Sequence, residues 1–290
     1  MPPATERPVE RRSDDRQHVV RRARHLLRYE ADVAFRRRAC TVLRYLDPQP
    51  SDRILDNGCG LGFYLHLLAR LTPSSVWGVD RDEARLATAA ADAYAAQTRR
   101  LRADVTELPF RDATFDKVIS SEVLEHLDDD TAAMQEVARV LKPRGVCAIT
   151  VPNADYPAVW DPLNYLREGL GFGHFRHGPL TGIWTDHRRL YSPRQVVDLV
   201  EGVGLSVTDV RLETRHAFPF SHNLIYVVGK AVIESGLLGQ SSRQRSDLWT
   251  DDPQWTLSRA LASIVAWPDR FNRDSYPSGP AVSLCVRAVK

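Results

Sequence analysis

The chain has 290 residues, 43% of them hydrophobic, and a formal net charge of +2 at pH 7. A chain of this length and composition buries a substantial core, which excludes a wholly disordered protein. The small net charge gives no general attraction to nucleic acid, and the four cysteines lack the Cys-x-x-Cys spacing of zinc and redox sites.

The N-terminal region is charged and contains no signal-peptide core. No apolar run reaches membrane-spanning length, so the sequence predicts a cytoplasmic protein without a transmembrane segment. Residues 1–17, rich in Pro, Arg, Glu and Asp, are predicted to be a disordered tail, and 18–46 to be helical. Residues 1–38 carry eleven arginines against six acids. A nucleic-acid surface there remains open, but a solvated helix face is favoured.

A glycine-rich turn follows the first predicted strand, in the stretch Arg-Ile-Leu-Asp-Asn-Gly-Cys-Gly-Leu-Gly at 53–62. Glycines at alternate positions let the backbone turn sharply and approach a ligand closely. A helix predicted at 63–71 completes the strand–turn–helix arrangement of a nucleotide-binding parallel sheet. The spacing is not the Gly-x-Gly-x-x-Gly that favours a dinucleotide pyrophosphate. Asp56, just before the glycines, would repel a phosphate but suits a cationic ligand.

Further strand–helix units follow along the first half of the chain. The predicted strands lie at 75–80, 100–105, 113–120 and 146–151, and the predicted helices at 83–94 and 129–141, with a turn at 142–145. The second strand ends in Asp80, at the distance from Asp56 that one strand–helix–strand unit needs. A carboxylate at that place accepts the ribose hydroxyls of a nucleoside, caps the next helix, or does both.

The turn at 53–62 and the stretch Ser-Glu-Val-Leu-Glu-His-Leu at 121–127 resemble the class I S-adenosylmethionine-dependent methyltransferases. The resemblance covers about 40–152 well and the remainder loosely. It implies an α/β fold with a doubly wound, seven-stranded, mostly parallel Rossmann-like sheet. Its last strand would be antiparallel and inserted beside the fifth.

The same resemblance implies S-adenosyl-L-methionine as the cofactor. Asp104 matches the acid that holds the adenine amino group in this family, with Val105 beside the ring, whereas Asn57 departs from the apolar residue usual at its position. Cys59 is expected in the turn for its small size and not as a nucleophile. The residues expected to bind the cofactor are Asp56, Gly58, Cys59, Gly60, Asp80, Arg81, Asp104, Val105 and Ser121.

The second half of the chain is expected to complete the sheet and to bind the acceptor. Residues 153–190 contain many aromatic, Gly and His residues and are too long for a plain connector, so we predict a lid or substrate loop. Ser192 and Pro193 begin the next helix as its cap and first residue. The sixth and seventh strands are predicted within 191–215 and 280–290, which form the remainder of the core sheet.

An insertion separates these last two strands. Residues 216–279 are predicted to form a helical cap over the acceptor pocket, with candidate helices at 223–238 and 256–267. The apolar residues at helical spacing in both helices must be covered by the core, a second subunit, a substrate or a membrane surface. A homodimer contact through the same faces is therefore the alternative to the cap.

Two histidines are candidates for the chemistry. Methyl transfer from a sulfonium is an in-line displacement in a dry pocket and needs no metal, so no metal site is predicted. A hydroxyl or ammonium acceptor must lose a proton, and histidine suits that role near neutral pH. His126 and His187 are the candidate catalytic residues, although His126 is equally well explained as a helix-start residue bonded to the backbone. Of Glu122 and Glu125, we expect one to help hold the cofactor and the other to face solvent.

Three functions remain open from the sequence. The favoured one is an S-adenosylmethionine-dependent methyltransferase that acts on a small molecule. This acceptor is expected to be partly apolar and to resemble a natural product, a sugar or a quinone, and O-methylation is slightly favoured. The second is a methyltransferase acting on RNA or on a lipid-linked acceptor. The stretch Ser-Ser-Glu-Val at 120–123 lacks the Asn/Asp-Pro-Pro-aromatic motif of enzymes that methylate base amino groups, so a nucleic-acid partner is not expected. The third is a non-catalytic cofactor-binding scaffold, which the acids at 56, 80 and 104 argue against.

Overall fold

The computed structural model describes residues 18–30, 32–91, 94–178, 180–217 and 263–290. The predicted disordered tail at 1–17 lies outside these residues. So do the candidate helix at 223–238 and most of the one at 256–267, and the cap at 216–279 therefore stays a prediction.

One sheet of seven strands lies at the centre of the described fold. The strands are β1 Arg53–Asn57, β2 Ser75–Asp80, β3 Thr98–Arg102, β4 Phe115–Ser121, β5 Leu141–Pro152, β6 Ser206–Glu213 and β7 Ser283–Val289. Their order is β3-β2-β1-β4-β5-β7-β6, and β7 is antiparallel to both of its neighbours while the pairs from β3 to β5 are parallel. The predicted doubly wound, mostly parallel sheet is therefore confirmed, including the last strand beside the fifth.

Helices cover both faces of this sheet. Those longer than one turn among the described residues are α1 at 18–26, α2 Val33–Leu46, α3 Phe63–Leu71, α4 Glu83–Ala90, α5 Asp130–Val140, α6 Pro162–Gly169 and α7 Pro193–Gly202. Successive strand residues point to opposite faces, so Val118 and Ile119 of β4 join two different apolar clusters. The cluster of Ile119 contains residues of α1, α2 and α3, and that of Val118 contains residues of α5 and α7. No helix in the described part of the chain is both long and apolar enough to cross a bilayer.

Two predicted helices are shorter in the structure. The helix predicted at 18–46 is broken between α1 and α2, where the Asp32 side chain accepts a backbone N–H of the first turn and starts a new helix. The helix predicted at 83–94 is the shorter α4, and its N-cap is Asp82. The capping role considered for Asp80 is therefore wrong, because Asp82 accepts the N–H groups of the first turn, while Asp80 accepts those of Gly60 and Asp82.

Two strand boundaries also differ from the prediction. The third strand ends at Arg102, so Asp104 and Val105 lie in a turn beyond the regular sheet. The turn predicted at 142–145 lies inside β5 as a bulge, where these residues stand opposite Asp116 of β4. The carboxyl end of β3 is thereby more open than a longer strand would leave it.

Residues 153–190 contain α6 and a short 3-10 turn at Gly182–Trp184. Asp161 caps α6, and its side chain also accepts the Ile183 N–H, which joins the helix to the 3-10 turn. Apolar side chains that are 61–70% exposed lie on α6 and just after it: Leu166, Leu170 and Phe172. A role for this segment as a lid stays a prediction, but its exposed face is available for an apolar ligand or surface.

Three consecutive arginines of α2 are bonded to carboxylates of the same chain. Arg36 and Arg37 contact Asp269, and Arg38 contacts Glu122 at 3.1 Å. Their side chains are only 13–17% exposed. The expectation of a solvated helix face is wrong for these three residues, because they join α2 to the C-terminal segment and to the end of β4.

Candidate cofactor and acceptor site

The glycine-rich turn between β1 and α3 requires glycine for its conformation. Gly58, Gly60 and Gly62 have φ angles of 83°, 51° and 80°, in the left-handed region. A Cβ on Gly58 would lie 2.5 Å from a methyl carbon of Val123. The Gly58 and Cys59 N–H groups both donate to the Val79 carbonyl, at 2.9 and 2.8 Å, which fixes the turn against the end of β2.

Asp80 connects this turn to the next helix. Its Oδ2 accepts the Gly60 N–H at 2.8 Å, and its Oδ1 accepts the Asp82 N–H at 2.9 Å. The side chain is largely buried but borders the open cleft at the strand ends. Because an ionised carboxylate has about four acceptor positions, Asp80 retains capacity for the hydroxyls of a ligand.

A cleft of about 370 Å³ opens at the carboxyl ends of β1, β2 and β4. Its lining residues are Gly58, Asp80, Arg81, Arg85, Ala103, Asp104, Val105, Glu122, Val123, His126, Leu127, Asp186 and Arg188. The volume lies within the range of about 300–1,000 Å³ of small-molecule sites. Five of the nine predicted cofactor residues line this cleft, and the candidate catalytic residue His126 lines it too.

Asp104 and Val105 form one side of the cleft. The Asp104 Oδ1 accepts the Thr106 N–H at 2.9 Å and the Thr106 hydroxyl at 2.7 Å, and these bonds hold the pKa of the carboxyl below its ordinary value. The group is therefore ionised near neutral pH. Its second oxygen is available to accept from an amino group, with the buried Val105 side chain beside it.

Four predicted cofactor residues do not line the cleft, namely Asp56, Cys59, Gly60 and Ser121. The Cys59 side chain is buried, and burial raises the pKa of its thiol, so it is not a nucleophile. Gly60 presents its N–H to Asp80. The Ser121 hydroxyl bonds to those of Tyr64 and Thr150, at 3.3 and 2.8 Å, and so belongs to a network behind the cleft.

Asp56 ends β1 as a buried carboxyl. Burial, and then the neighbouring Asp80, raise its pKa to about 8. Its Oδ2 and both polar atoms of the Asn57 side chain lack a hydrogen-bond partner among the described residues. These orphaned buried polar atoms at the end of a central strand would be satisfied by hydrogen bonds from a polar ligand that reached behind the glycine-rich turn.

Replacing Asp56 with Asn is expected to change how stability depends on pH. The unfolded chain releases this proton near pH 3.9 and the folded chain near pH 8, so folded wild type binds more protons between these values. Its stability then falls as pH rises through this window, by about 1.4 kcal/mol per pH unit from this group alone. Urea unfolding of the ligand-free proteins at pH 5, 6.5 and 8 should show the advantage of Asp56→Asn growing with pH.

Asp198→Asn is the matched control, because it neutralises a carboxylate that is 67% exposed on α7. Its stability difference from wild type should stay constant over the same pH range. A constant difference for Asp56→Asn as well would mean that the buried carboxyl is not protonated in the folded state.

His126 and His187 lie together beside the cleft, with their ring centroids 4.8 Å apart. The Nε2 atom of each lies 3.8 Å from the same oxygen, Oε1 of Glu125. Glu125 is fully buried, and burial, followed by the charge of Glu122, raises its pKa well above the ordinary value. The structure thus joins two predicted residues that stand far apart in the sequence and adds an acid to them.

The expectation that Glu122 or Glu125 faces solvent is wrong. Glu122 binds Arg38 and accepts the Thr150 hydroxyl at 3.0 Å, although it also borders the cleft. Glu122 has a φ angle of 56°, an uncommon backbone conformation for a residue other than glycine. Arg38 lies on α2, so the Arg38–Glu122 pair fixes this helix beside the end of β4.

Sequence reasoning did not select several cleft residues, among them Arg85, Asp186 and Arg188. Arg188 is fixed by two backbone contacts, since its N–H donates to the Glu125 carbonyl and its Nε donates to the His126 carbonyl, at 2.9 and 3.1 Å. The run Asp-His-Arg-Arg at 186–189 is a signal for this placement, because such a dense polar stretch near the end of the predicted lid segment is not expected in a core.

Known proteins resemble this chain in sequence and in fold. A family model described as a methyltransferase domain matches residues 55–149. A "probable S-adenosylmethionine-dependent methyltransferase" of Mycolicibacterium smegmatis is 29% identical over 180 residues, which cover 62% of each chain. An O-methyltransferase of Pyrenophora dematioidea is 31% identical over 143 residues, or 46% of this chain and 54% of the relative. The crystal structure of the [4+2]-cyclase SpnF matches with a TM-score of 0.55 and 17% identity, over 88% of this chain and 81% of that one.

These matches differ in what they establish. The chain spans less than two thirds of the length of the curated relatives that it matches first. The likeness to the solved structure shows the fold alone, and that structure is of a cyclase, so the fold does not fix the reaction. The domain match is more specific, because it runs from β1 to β5 and so covers the elements whose ends form the cleft.

Proposed function

We propose that this chain methylates a small-molecule acceptor. The premise is that, by the match over residues 55–149, it belongs to the class I S-adenosylmethionine-dependent methyltransferases. The observation that carries the proposal is the position of His126. This residue lines the cleft that we propose for the cofactor, and it also belongs to the histidine pair. A proton acceptor next to a cofactor cleft is what transfer to a hydroxyl requires.

The chain's own acids and turn are proposed to hold the cofactor. Bound S-adenosylmethionine supplies a methyl group that its sulfonium sulfur has already activated. Asp80 accepts the ribose hydroxyls, and Asp104 accepts the adenine amino group with Val105 against the ring. Asp56 lies near the carboxyl end of β1 and Gly58 directly after that strand. There the glycine backbone lets a ligand approach closely, and the Asp56 carboxyl would serve as its hydrogen-bond partner.

His126 and His187 are proposed to take the proton of the acceptor or to orient its nucleophilic atom. Both Nε2 atoms lie 3.8 Å from the same oxygen of the Glu125 carboxyl, so the two rings face one acid. Glu125 acts through the histidines, since none of its surface is exposed. Such an arrangement suits an oxygen acceptor, whose proton must leave as the new bond to carbon forms.

The acceptor is proposed to be small and partly apolar, such as a natural-product, sugar or quinone-like molecule. The segment 153–190 supports this choice, because it carries exposed apolar side chains next to a polar stretch that reaches the histidine pair. The cap at 216–279 would complete the pocket, or it would form a homodimer contact. We propose that the reaction takes place in the cytoplasm, because the composition of the chain is that of an ordinary globular protein.

A second candidate is methylation of a lipid-linked acceptor. It is favoured by the three exposed apolar residues on and after α6, which could lie against an apolar surface: Leu166, Leu170 and Phe172. The same side chains serve an apolar small molecule equally well. The two candidates therefore share the same cofactor site, and they differ in whether the acceptor is a free small molecule or is attached to a lipid.

Incubation with S-adenosylmethionine labelled in its methyl group tests the proposed function. Cell extract separated into small-molecule, lipid and RNA fractions provides the acceptors, and mass spectrometry identifies the labelled product. Label in a small molecule, at an oxygen, is the expected result. Label in the lipid fraction would favour the second candidate, and cofactor binding without label in any fraction would favour a non-catalytic scaffold.

A further inference from the structure

We propose that Glu125, His126 and His187 form a binding site for a divalent first-row transition-metal ion. One ligand atom from each residue lies within 4.8 Å of the other two. Two imidazoles and one carboxylate are a ligand set that binds Zn²⁺ and related ions. Neither the fold nor the methyl-transfer reaction requires such an ion, so the site goes beyond the proposed function.

The hydrogen bonding of His126 identifies which of its nitrogen atoms is available to a metal. Its Nδ1 lies 2.9 Å from the backbone carbonyl oxygen of Asp186, which can only accept. Nδ1 therefore carries the proton in the neutral ring, and the lone pair is on Nε2. The Nε2 atom lies 3.8 Å from Oε1 of Glu125. A backbone carbonyl that orients a ring in this way is the usual outer partner of a metal-binding histidine.

If the Glu125 carboxyl is ionised and the His126 ring is neutral, the two electron-rich atoms repel each other unless a cation lies between them. A shared proton would bring the nitrogen and oxygen to about 2.7–3.2 Å, whereas both Nε2 atoms lie 3.8 Å from Oε1. Ligands bound at about 2.1 Å to one ion lie about 3.0–3.6 Å from each other. The observed spacing is too wide for a direct hydrogen bond. A contraction of a few tenths of an ångström would bring each Nε2 atom and Oε1 to the spacing of ligands on one ion, and the widest separation in the group, up to 4.8 Å, would have to close by about 1 Å through side-chain rotation.

Glu125 supplies the strongest single indication of a ligand. Its side chain has no exposed surface, and neither carboxylate oxygen has a hydrogen-bond partner among the described residues. A buried carboxylate without hydrogen bonds is costly, so native proteins pair such a group or coordinate it to a metal. His126, whose side chain is 34% exposed and borders the cleft, provides the route by which an ion would enter.

The surrounding contacts hold the three residues in place without the ion. Arg188 bonds to the backbone of Glu125 and His126, as described above, and Arg189 donates to the carbonyl oxygen of Leu127 at 2.9 Å. The segment that carries His187 is thereby attached to the segment that carries the other two ligands. A preformed site of this kind loses little conformational entropy when it binds an ion.

The ion would have a role in the reaction, and this step rests on the proposed function. Three protein ligands leave at least one coordination position, which an oxygen atom of the acceptor could occupy. Coordination would lower the pKa of a bound hydroxyl and orient it. Because the ion would occupy the Nε2 lone pairs, the histidines would then act as ligands and not as the base, and the hydroxyl proton would pass to water in the cleft. The acceptor class would then be a molecule with a hydroxyl that can reach the cleft beside His126.

The direct test is ion binding by the full chain, without any acceptor. Protein stripped with EDTA and exchanged into metal-free buffer is dialysed against Zn²⁺, Mn²⁺ or Co²⁺, and bound metal is measured by elemental analysis. We expect one ion per chain, with weaker binding of Mg²⁺ and Ca²⁺, which prefer oxygen ligands. Bound Co²⁺ should show absorption bands typical of nitrogen and oxygen coordination.

The variants decide whether the ion lies at this site. His126→Ala, His187→Ala and the isosteric Glu125→Gln should each weaken binding by about 100-fold or more. His18→Ala removes an exposed histidine of α1 and should bind the ion as wild type does. Binding of S-adenosylmethionine by each variant, measured by calorimetry, shows that the fold is intact. Wild type that binds no ion, or variants that bind it as well as wild type, would overturn the proposal.

The same experiments separate this inference from the proposed function. Ion binding with no methyl transfer to any acceptor would leave the site standing and remove the function. Undiminished methyl transfer by stripped protein that binds no ion would leave the proposed function standing and remove the metal site. If both hold, removal of the ion should lower turnover by about tenfold or more while the affinity for S-adenosylmethionine stays unchanged.

Discussion

Replacing His187 with alanine is expected to lower turnover by about two to four orders of magnitude and to leave the affinity for S-adenosylmethionine nearly unchanged. The side chain is 14% exposed and lies against Glu125 and His126, outside the lining of the cofactor cleft. Its loss therefore removes a group proposed to act on the acceptor, while the groups proposed to hold the cofactor remain. His126→Ala should have a similar effect on turnover, with a larger effect on binding because it borders the cleft.

Two measurements distinguish this role from a structural one. Steady-state kinetics should show the loss chiefly in kcat, and calorimetry should show an unchanged dissociation constant for S-adenosylmethionine. His18→Ala, an exposed histidine of α1, is the control and should behave as wild type in both. If His126→Ala and His187→Ala both keep near wild-type turnover, the proton leaves to solvent or to the acceptor itself, and the proposed roles are wrong.

The order of elements, and the place of the cleft at the strand ends, could be predicted because their signals are local. The glycine-rich turn, the acid at the end of β2 and the capping pair Ser192 and Pro193 each lie within a few residues of the element that they determine. The capping box at α7 is an example, because Ser192 and Gln195 exchange hydrogen bonds within one turn of helix. Such features are readable from spacing alone.

The histidine pair needed the structure, because its members lie 61 positions apart in the sequence. Nothing local to His126 indicates that His187 packs beside it, or that Glu125 between them is buried. The contact depends on how 186–189 bonds back to the end of β4, and long-range contacts of that kind have no signature in spacing. The sequence could thus name both histidines but not the acid that joins them.

The errors at boundaries have a similar cause. The helical pattern of 18–46 is continuous in the sequence, but the Asp32 cap and the packing of α1 and α2 on the sheet break it. The arginines of α2 were predicted to face solvent, because charged side chains usually do. In the structure, carboxylates from distant segments of the chain bind them. In the first case tertiary contacts decide where a helix ends, and in the second they decide whether a charged side chain is solvated or paired. Local sequence alone does not distinguish these alternatives.

Asp80→Ala is expected to weaken the binding of S-adenosylmethionine by about 2–4 kcal/mol, or about 30- to 1,000-fold. The wild-type carboxylate would accept two ribose hydroxyls, and it also accepts the Gly60 N–H at 2.8 Å. The alanine variant therefore loses charge-assisted hydrogen bonds to the ligand and releases the glycine-rich turn. Asp80→Asn retains an acceptor for Gly60 but no charge, so it should fall between wild type and alanine.

Asp82→Ala is the matched control, two residues along the chain. Asp82 accepts the Ala84 and Arg85 N–H groups as the cap of α4, at 2.9 and 3.2 Å, and does not line the cleft. Its replacement should cost about 1 kcal/mol of stability and little cofactor affinity. The free energy of unfolding and the dissociation constant together separate the two acids.

The product S-adenosylhomocysteine gives a sharper form of this test. It carries the same ribose as S-adenosylmethionine but lacks the methyl group and the sulfonium charge. If Asp80 binds the ribose, Asp80→Ala weakens both ligands by the same factor, because the contact that is lost is common to them. A loss confined to S-adenosylmethionine would mean that Asp80 acts on the sulfonium through its charge, and unchanged binding of both would show that the ribose lies elsewhere in the cleft.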